Sequence, residues 1–304
     1  MKIIFAGSPE YAVPSLKALH EKFGVAAVLT QPDKPTGRKK ILTPTAVKTY
    51  AEEQGIPVYD FAKVREHVQE VKELGGDIMI TCAYGKILTQ EVLDCFPQGV
   101  WNLHASLLPK FRGASPIQSA ILAGESHTGV TVMRTELSLD TGDILLVKRC
   151  EIGDKNCGQL EETLSALSAE AAVETVNILK SGEPQLLLQD EAKATYCKKI
   201  SKADGKVDFN NSPGGICRLI RAMNPEPVAY CNFNGSVLNI LHAEPEEGEF
   251  GKIGAVICAD KRGIKVGCKG GAIVIKEIIP AGGKRMSAAD FVNGRKIKAG
   301  DILD

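Results

Sequence analysis

The chain is notable first for what it lacks. Nine cysteines are present, but the number is odd and no two stand at Cys-x-x-Cys spacing. No zinc or thiol redox motif emerges, no metal is expected, and a reduced cytoplasmic setting fits best. No apolar run approaches the ~18 residues of a membrane span. The start, "MKIIFAGSPE", is too short in its apolar part for a secretory signal and reads as a first strand. Formal net charge is zero, so bulk charge cannot draw the protein to a polyanion and any such partner must be met by local patches. The first strand is not followed by Gly-x-Gly-x-x-Gly, which argues against a nicotinamide dinucleotide enzyme. Internal repeats and low-complexity tracts are missing too.

What remains is an α/β pattern over 304 residues, long enough for two domains. "KIIFAG" (2–7), "VAAVLTQ" (25–31), "IPVYDF" (56–61) and "DIMITCAYG" (77–85) read as buried strands. The segments at 14–24, 43–55 and 63–75 read as helices between them. Alternation of this kind predicts a Rossmann-like parallel sheet. Strands follow at 99–106, 128–135 and 143–152, with a helix opening at Ser115-Pro116 and a long amphipathic helix over 158–182. Residues 1–190 are the expected catalytic domain, 191–205 a polar linker without clear period, and 206–304 a second domain. There, short strands with turn signals, including Asn234-Gly235, predict a small OB-like β-barrel.

The chemistry concentrates in "NLHASLLPKFRGASPIQ" (102–118) and "SLDTGD" (138–143). Asn102 and His104 are two apart in a strand, so they share a face at its C-terminal end, where open α/β sheets place their sites. An amide N–H and an imidazole suit an oxyanion forming on an attacked carbonyl. A carboxylate such as Asp140 near an imidazole fixes its orientation and favours its charged form. With no Ser or Cys nucleophile in the set, the attacking group has to come from the substrate. Taken alone, an Asn-x-His at a strand end is more often hydrogen-bonded structure, and Asp140 a turn residue. Composition and periodicity do not bring Asp140 next to His104.

"NLHASLLPKFRGASPIQ" with "GVTVMRTELSLDTGDIL" resembles the signature of the formyltransferases that use 10-formyltetrahydrofolate: Asn-x-His, a Ser-Leu-Leu-Pro turn, then Leu-Asp-x-Gly, in order and at the family spacing. "IIFAGSPEYA", "TQPDKPTGRKK", "AYGKIL", "IRAMNPEP" and "PAGGKRMSAADF" extend the likeness over nearly the whole chain, toward members whose acceptor is methionyl initiator tRNA. The resemblance implies that Asn102, His104 and Asp140 are catalytic. It implies that Ser106, Leu107, Leu108 and Pro109, with the backbone around Ala83, Tyr84 and Gly85, line a folate site. It also implies that the formyl group passes directly to an amine through a tetrahedral intermediate. Arg38, Lys39 and Lys40, in the loop 33–44, are then expected on the tRNA acceptor end, as phosphate contacts rather than sequence readers. The alternative acceptor is a small amine, an amino sugar nucleotide or glycinamide ribonucleotide; a non-catalytic RNA-binding protein on this scaffold is the rival of another class.

From Lys206 to Asp304 the chain has 14 Lys and Arg against 11 Asp and Glu. The cations cluster at Lys261, Arg262, Lys265, Lys269, Lys284, Arg285, Arg295, Lys296 and Lys298, a plausible RNA-backbone platform or an ordinary charged surface. Arg218 and Arg221, on one helix, face either RNA or solvent. Trp101 points opposite to Asn102 and is expected in the core. A monomer without membrane contact is expected.

Overall fold

The computed structural model describes residues 1–37, 40–248, 251–294 and 296–304 and divides them into two units. Arg38, Lys39 and Arg295 lie outside the described residues. No described helix is long and apolar enough to cross a membrane.

The first unit comprises residues 1–116, 127–151 and 161–197. Its strands are β1 (Ile3–Gly7), β2 (Ala27–Leu29), β3 (Lys34–Thr36), β4 (Ile41–Thr43), β5 (Val58–Tyr59), β6 (Ile78–Cys82), β7 (Val100–His104), β8 (Arg112–Gly113), β9 (His127–Arg134), β10 (Ile144–Glu151) and β11 (Tyr196–Cys197). Helices α1 (Val13–Phe23), α2 (Ala46–Glu53), α3 (Val68–Glu73) and α4 (Gln90–Leu93) alternate with the early strands. The long α6 (Cys157–Ser181) follows β10 and belongs to this unit from residue 161 on, whereas α5 (Pro116–Ala123), after β8, belongs to the second unit from residue 117 on. β1 and β6 are buried at every residue, as strands covered on both faces must be. Thr45 caps α2 by accepting from Lys48 N–H, and Gly24, at φ +75, ends α1.

The main sheet has the order β10-β9-β7-β6-β1-β2-β5. Its five strands from β7 to β5 are parallel, but β9 runs antiparallel to β7 and β10 antiparallel to β9. The expected parallel sheet is therefore mixed at one edge. Burial and spacing do not encode strand direction, and the short connection from β9 to β10 forms a hairpin. A second difference is the hairpin of β3 and β4 within the expected loop 33–44, which exposes Ile41 and Leu42.

The strand order reverses at β1, with β2 on one side and β6 on the other. The C-terminal ends of β1 and β6 thus stand at the switch point, where open α/β sheets place the crevice that holds ligands. Gly7 permits the approach: a Cβ there would lie 2.8 Å from the Cys82 carbonyl oxygen.

The second unit comprises residues 117–126, 152–160 and 198–304. It holds α7 (Pro213–Ala222), β12 (Ala229–Phe233), β13 (Ser236–Glu247), β14 (Val256–Asp260), β15 (Gly263–Cys268), β16 (Gly271–Pro280), β17 (Met286–Ser287) and α8 (Ala288–Asn293). The antiparallel order is β12-β13-β16-β15-β14, with β17 on β16. The C-terminal residues join its two edges: Leu303 bridges Phe233 of β12, and Ile302 bridges Ala255 beside β14. Inward residues such as Ile240, Ile264, Ile273 and Ile275 meet Ile216 and Ile220 of α7 in one core. Arg218 Nε donates to the Leu122 carbonyl at 3.3 Å, and Arg221 Nη1 to the Gly153 carbonyl at 2.5 Å. Both guanidinium groups therefore bond to backbone of the two short inserts that belong to this unit.

Candidate active site

Asn102 and His104 occupy the C-terminal end of β7, between β6 and β9. Thr81 of β6 stands in register with Asn102, and its hydroxyl donates to Asn102 Oδ1 at 2.8 Å. With its oxygen engaged, the amide keeps its two N–H donors for another acceptor. Trp101, alternating in direction, is 2% exposed and donates its indole N–H to Gln98.

His104 is buried, and each ring nitrogen faces an acceptor. Nε2 lies 2.9 Å from the Phe111 carbonyl oxygen, so Nε2 carries the hydrogen. Nδ1 lies 3.6 Å from Asp140 Oδ2, farther than a hydrogen bond. The same carboxylate oxygen accepts the Gly113 N–H at 2.8 Å. Asp140 sits in the left-handed region, at φ +54, a conformation that Asp tolerates better than most residues. The fold thus brings together the imidazole and the carboxylate that lie 36 residues apart in the chain.

The turn after β7 is held from inside. Ser106 is fully buried and its hydroxyl donates to the Lys110 carbonyl at 2.6 Å. Thr131 Oγ1 donates to the Ser106 carbonyl and accepts from Leu108 N–H. Leu108 packs with Met133 and Ile144. Of the four turn residues, Leu107 and Pro109 are the half-buried ones with surface to offer. At the crevice, Ala83 (φ +48) and Gly85 (φ +69) are exposed, while the Tyr84 ring is buried in the core beneath the sheet and its carbonyl accepts from Gln31 Nε2 at 2.8 Å. Lys40 is exposed at the β3–β4 turn.

Several contributors escaped the sequence reading. Thr81 is one; a hydroxyl within a buried apolar strand was its signal. Arg112 is another: it is fully buried and forms a bidentate pair with Glu191, at 2.6 and 2.9 Å. Residues 191–197, expected within a linker, instead run along the 107–114 loop. Phe111 N–H donates to Thr195 Oγ1, Arg112 N–H to the Thr195 carbonyl, and β11 pairs with β8.

A depression of about 630 Å³ opens at the opposite end of β7, lined by Phe96, Val100, Arg134 and Glu136 among others. None of Asn102, His104 or Asp140 lines it, and the chemistry of the residues, not cavity size, marks the site. In the second unit, Arg262, Lys265 and Arg285 are each paired with a carboxylate, from Asp260, Glu246 and Glu277. Lys261, Lys269, Lys284 and Lys298 make no such pair among the described residues.

The formyl transferase family model matches residues 1–176, and the model of the formyl transferase C-terminal domain matches 199–296. A curated methionyl-tRNA formyltransferase of Geotalea daltonii is 42% identical over 307 residues, covering 100% of this chain and 98% of the relative. That of Ruminiclostridium cellulolyticum is 42% identical over 312 residues, covering 100% and 99%. In fold, the chain resembles the N-formyltransferase of Helicobacter canadensis, crystallised with folinic acid and dTDP-3-aminofucose. The TM-score is 0.70 at 19% identity, over 90% of this chain and 98% of that one. Matched by both family models and, end to end, by these relatives, the chain belongs to the formyl transferase family, among the methionyl-tRNA formyltransferases.

Proposed function

We propose that this chain moves the formyl group of 10-formyltetrahydrofolate onto the α-amine of methionyl initiator tRNA through the Asn102, His104 and Asp140 set. The carrying observation is the meeting of His104 and Asp140 beside an Asn102 amide that Thr81 has already oriented.

In this reading the neutral amine attacks the formyl carbon, and the carbonyl oxygen takes up the negative charge. Asn102 Nδ2 donates to that oxygen. His104 Nε2–H exchanges the Phe111 carbonyl for the same oxygen, and Asp140 balances the imidazolium across Nδ1. The new C–N bond forms, the amine gives up a proton, N10 of the folate accepts one, and the C–N10 bond breaks. Leu107 and Pro109 on one side, and the exposed backbone at Ala83 and Gly85 on the other, suit a flat, polar-edged pterin: apolar surface for its faces and backbone groups for its edge. Ser106 and Leu108 act by shaping the turn. Lys40 with its neighbours Arg38 and Lys39, and Lys261, Lys269, Lys284 and Lys298 of the second unit, are the cations offered to tRNA phosphates.

The test is formyl transfer from 10-formyltetrahydrofolate with methionyl initiator tRNA, glycinamide ribonucleotide and an amino sugar nucleotide offered in parallel. Transfer to methionyl-tRNA alone is expected. Transfer to a small amine instead would keep the chemistry and overturn the acceptor.

A further inference from the structure

The Asp140 turn is held by a side chain 49 residues away. Gln189 Nε2 donates to the Asp140 carbonyl at 2.9 Å and to the Gly142 carbonyl at 2.7 Å. Its Oε1 accepts from Arg112 Nε at 3.1 Å and from Nη2 at 2.9 Å. The amide is therefore unambiguous in orientation: two carbonyls at one end, a guanidinium at the other. Arg112 is in turn fixed by the bidentate Glu191 pair and by the Tyr196 hydroxyl at 3.2 Å. Arg112 also immediately follows Phe111, whose carbonyl accepts from His104. One chain of bonds thus connects both acceptors that face the imidazole.

We propose that Gln189 is a positioning residue for formyl transfer, holding Asp140 in its left-handed turn at the distance from His104 that the reaction uses. A left-handed Asp with one side-chain oxygen on Gly113 N–H has few other restraints. Without the two bonds from Gln189 the turn relaxes and the carboxylate drifts from Nδ1. Gln189 touches no substrate in this scheme; its effect passes through Asp140, so the inference rests on the catalytic reading of that residue.

Gln189→Glu is the informative variant. It keeps an acceptor for Arg112, which stays satisfied, but presents an oxygen to two carbonyls. The expected result is a kcat at least about tenfold lower, with KM for folate and for methionyl-tRNA within about twofold of the parent and a melting temperature lowered without loss of the fold. In an Asp140→Asn background the same substitution should cost nothing further, because the group it positions is already disabled. Gln189→Met, similar in length and with Arg112 still paired to Glu191, serves if the Glu variant folds poorly. Near-parental kcat in either folded variant overturns the proposal, as do losses that multiply with Asp140→Asn. Full turnover of Asp140→Asn by itself would instead remove the catalytic reading of Asp140, and the two failures are thereby told apart.

Discussion

Thr81 and Asn102 face each other across the β6–β7 pair, and their bond decides which end of the amide looks outward. Asn102→Ala removes the donor altogether. Losing one oxyanion donor costs about 2.7–4 kcal/mol of transition-state stabilisation, so kcat should fall on the order of 100- to 1000-fold. Binding of tRNA should be largely kept, because the proposed phosphate contacts lie on other residues. A parallel loss of tRNA binding in a filter or gel assay would contradict the assigned role. Thr81→Val keeps the shape and deletes only the orienting bond, whose net worth is about 0.5–1.5 kcal/mol. It should slow turnover by roughly 2- to 13-fold, well short of the Asn102 effect. Tyr84 shows the other outcome at this scale: its ring belongs to the core, so only its backbone stands at the crevice.

Among the elements, hydrophobic patterning made the buried strands and the long α6 legible, because strands covered on both faces need nearly continuous apolar residues. Period two put Asn102 and His104 on one face. The strap from Leu187 to Cys197 was not legible. It is polar and aperiodic, and what it does is made of side-chain bonds to residues about 45 to 85 positions away. Arg112 reads in sequence like any surface cation, and only the fold shows its guanidinium fully enclosed. The Arg112 pair holds the Glu191 carboxyl below the usual carboxylate range. A carboxyl that ionises more readily when folded adds stability above its unfolded pKa of about 4.3, and the contribution is lost as pH falls through the lower folded value. The melting temperatures of the parent and Glu191→Gln should therefore differ near neutral pH and converge on acidification below about pH 4. A gap that persists in acid would assign the effect to packing. The β3–β4 hairpin makes a separate prediction. Replacing Arg38, Lys39 and Lys40 by Ala should raise KM for tRNA and flatten its salt dependence, since fewer counterions are released. An unchanged salt slope would take the hairpin out of the tRNA interface.

At the scale of the whole chain, each unit has its own apolar interior, and each interior contains a thiol that reports on it. Cys82 ends β6 in the sheet unit and Cys231 lies in β12 of the barrel unit; neither is exposed at all. Burial pushes both thiols up to about 12. Such a group stays the unreactive thiol at pH 8, where an unperturbed cysteine is partly thiolate. Enclosure denies the reagent access as well. In native buffer, a disulfide reagent followed by peptide mapping should modify the half-buried Cys95, Cys150, Cys197 and Cys258 first and leave Cys82 and Cys231 untouched. Denaturant should expose each when the core around it opens, so the two sites give separate unfolding curves for the two units. Coincident midpoints would mean that the units unfold as one cooperative body. Rapid native labelling of Cys231 alone would mean that the barrel opens locally, despite the Ile302 and Leu303 bridges that join its edges.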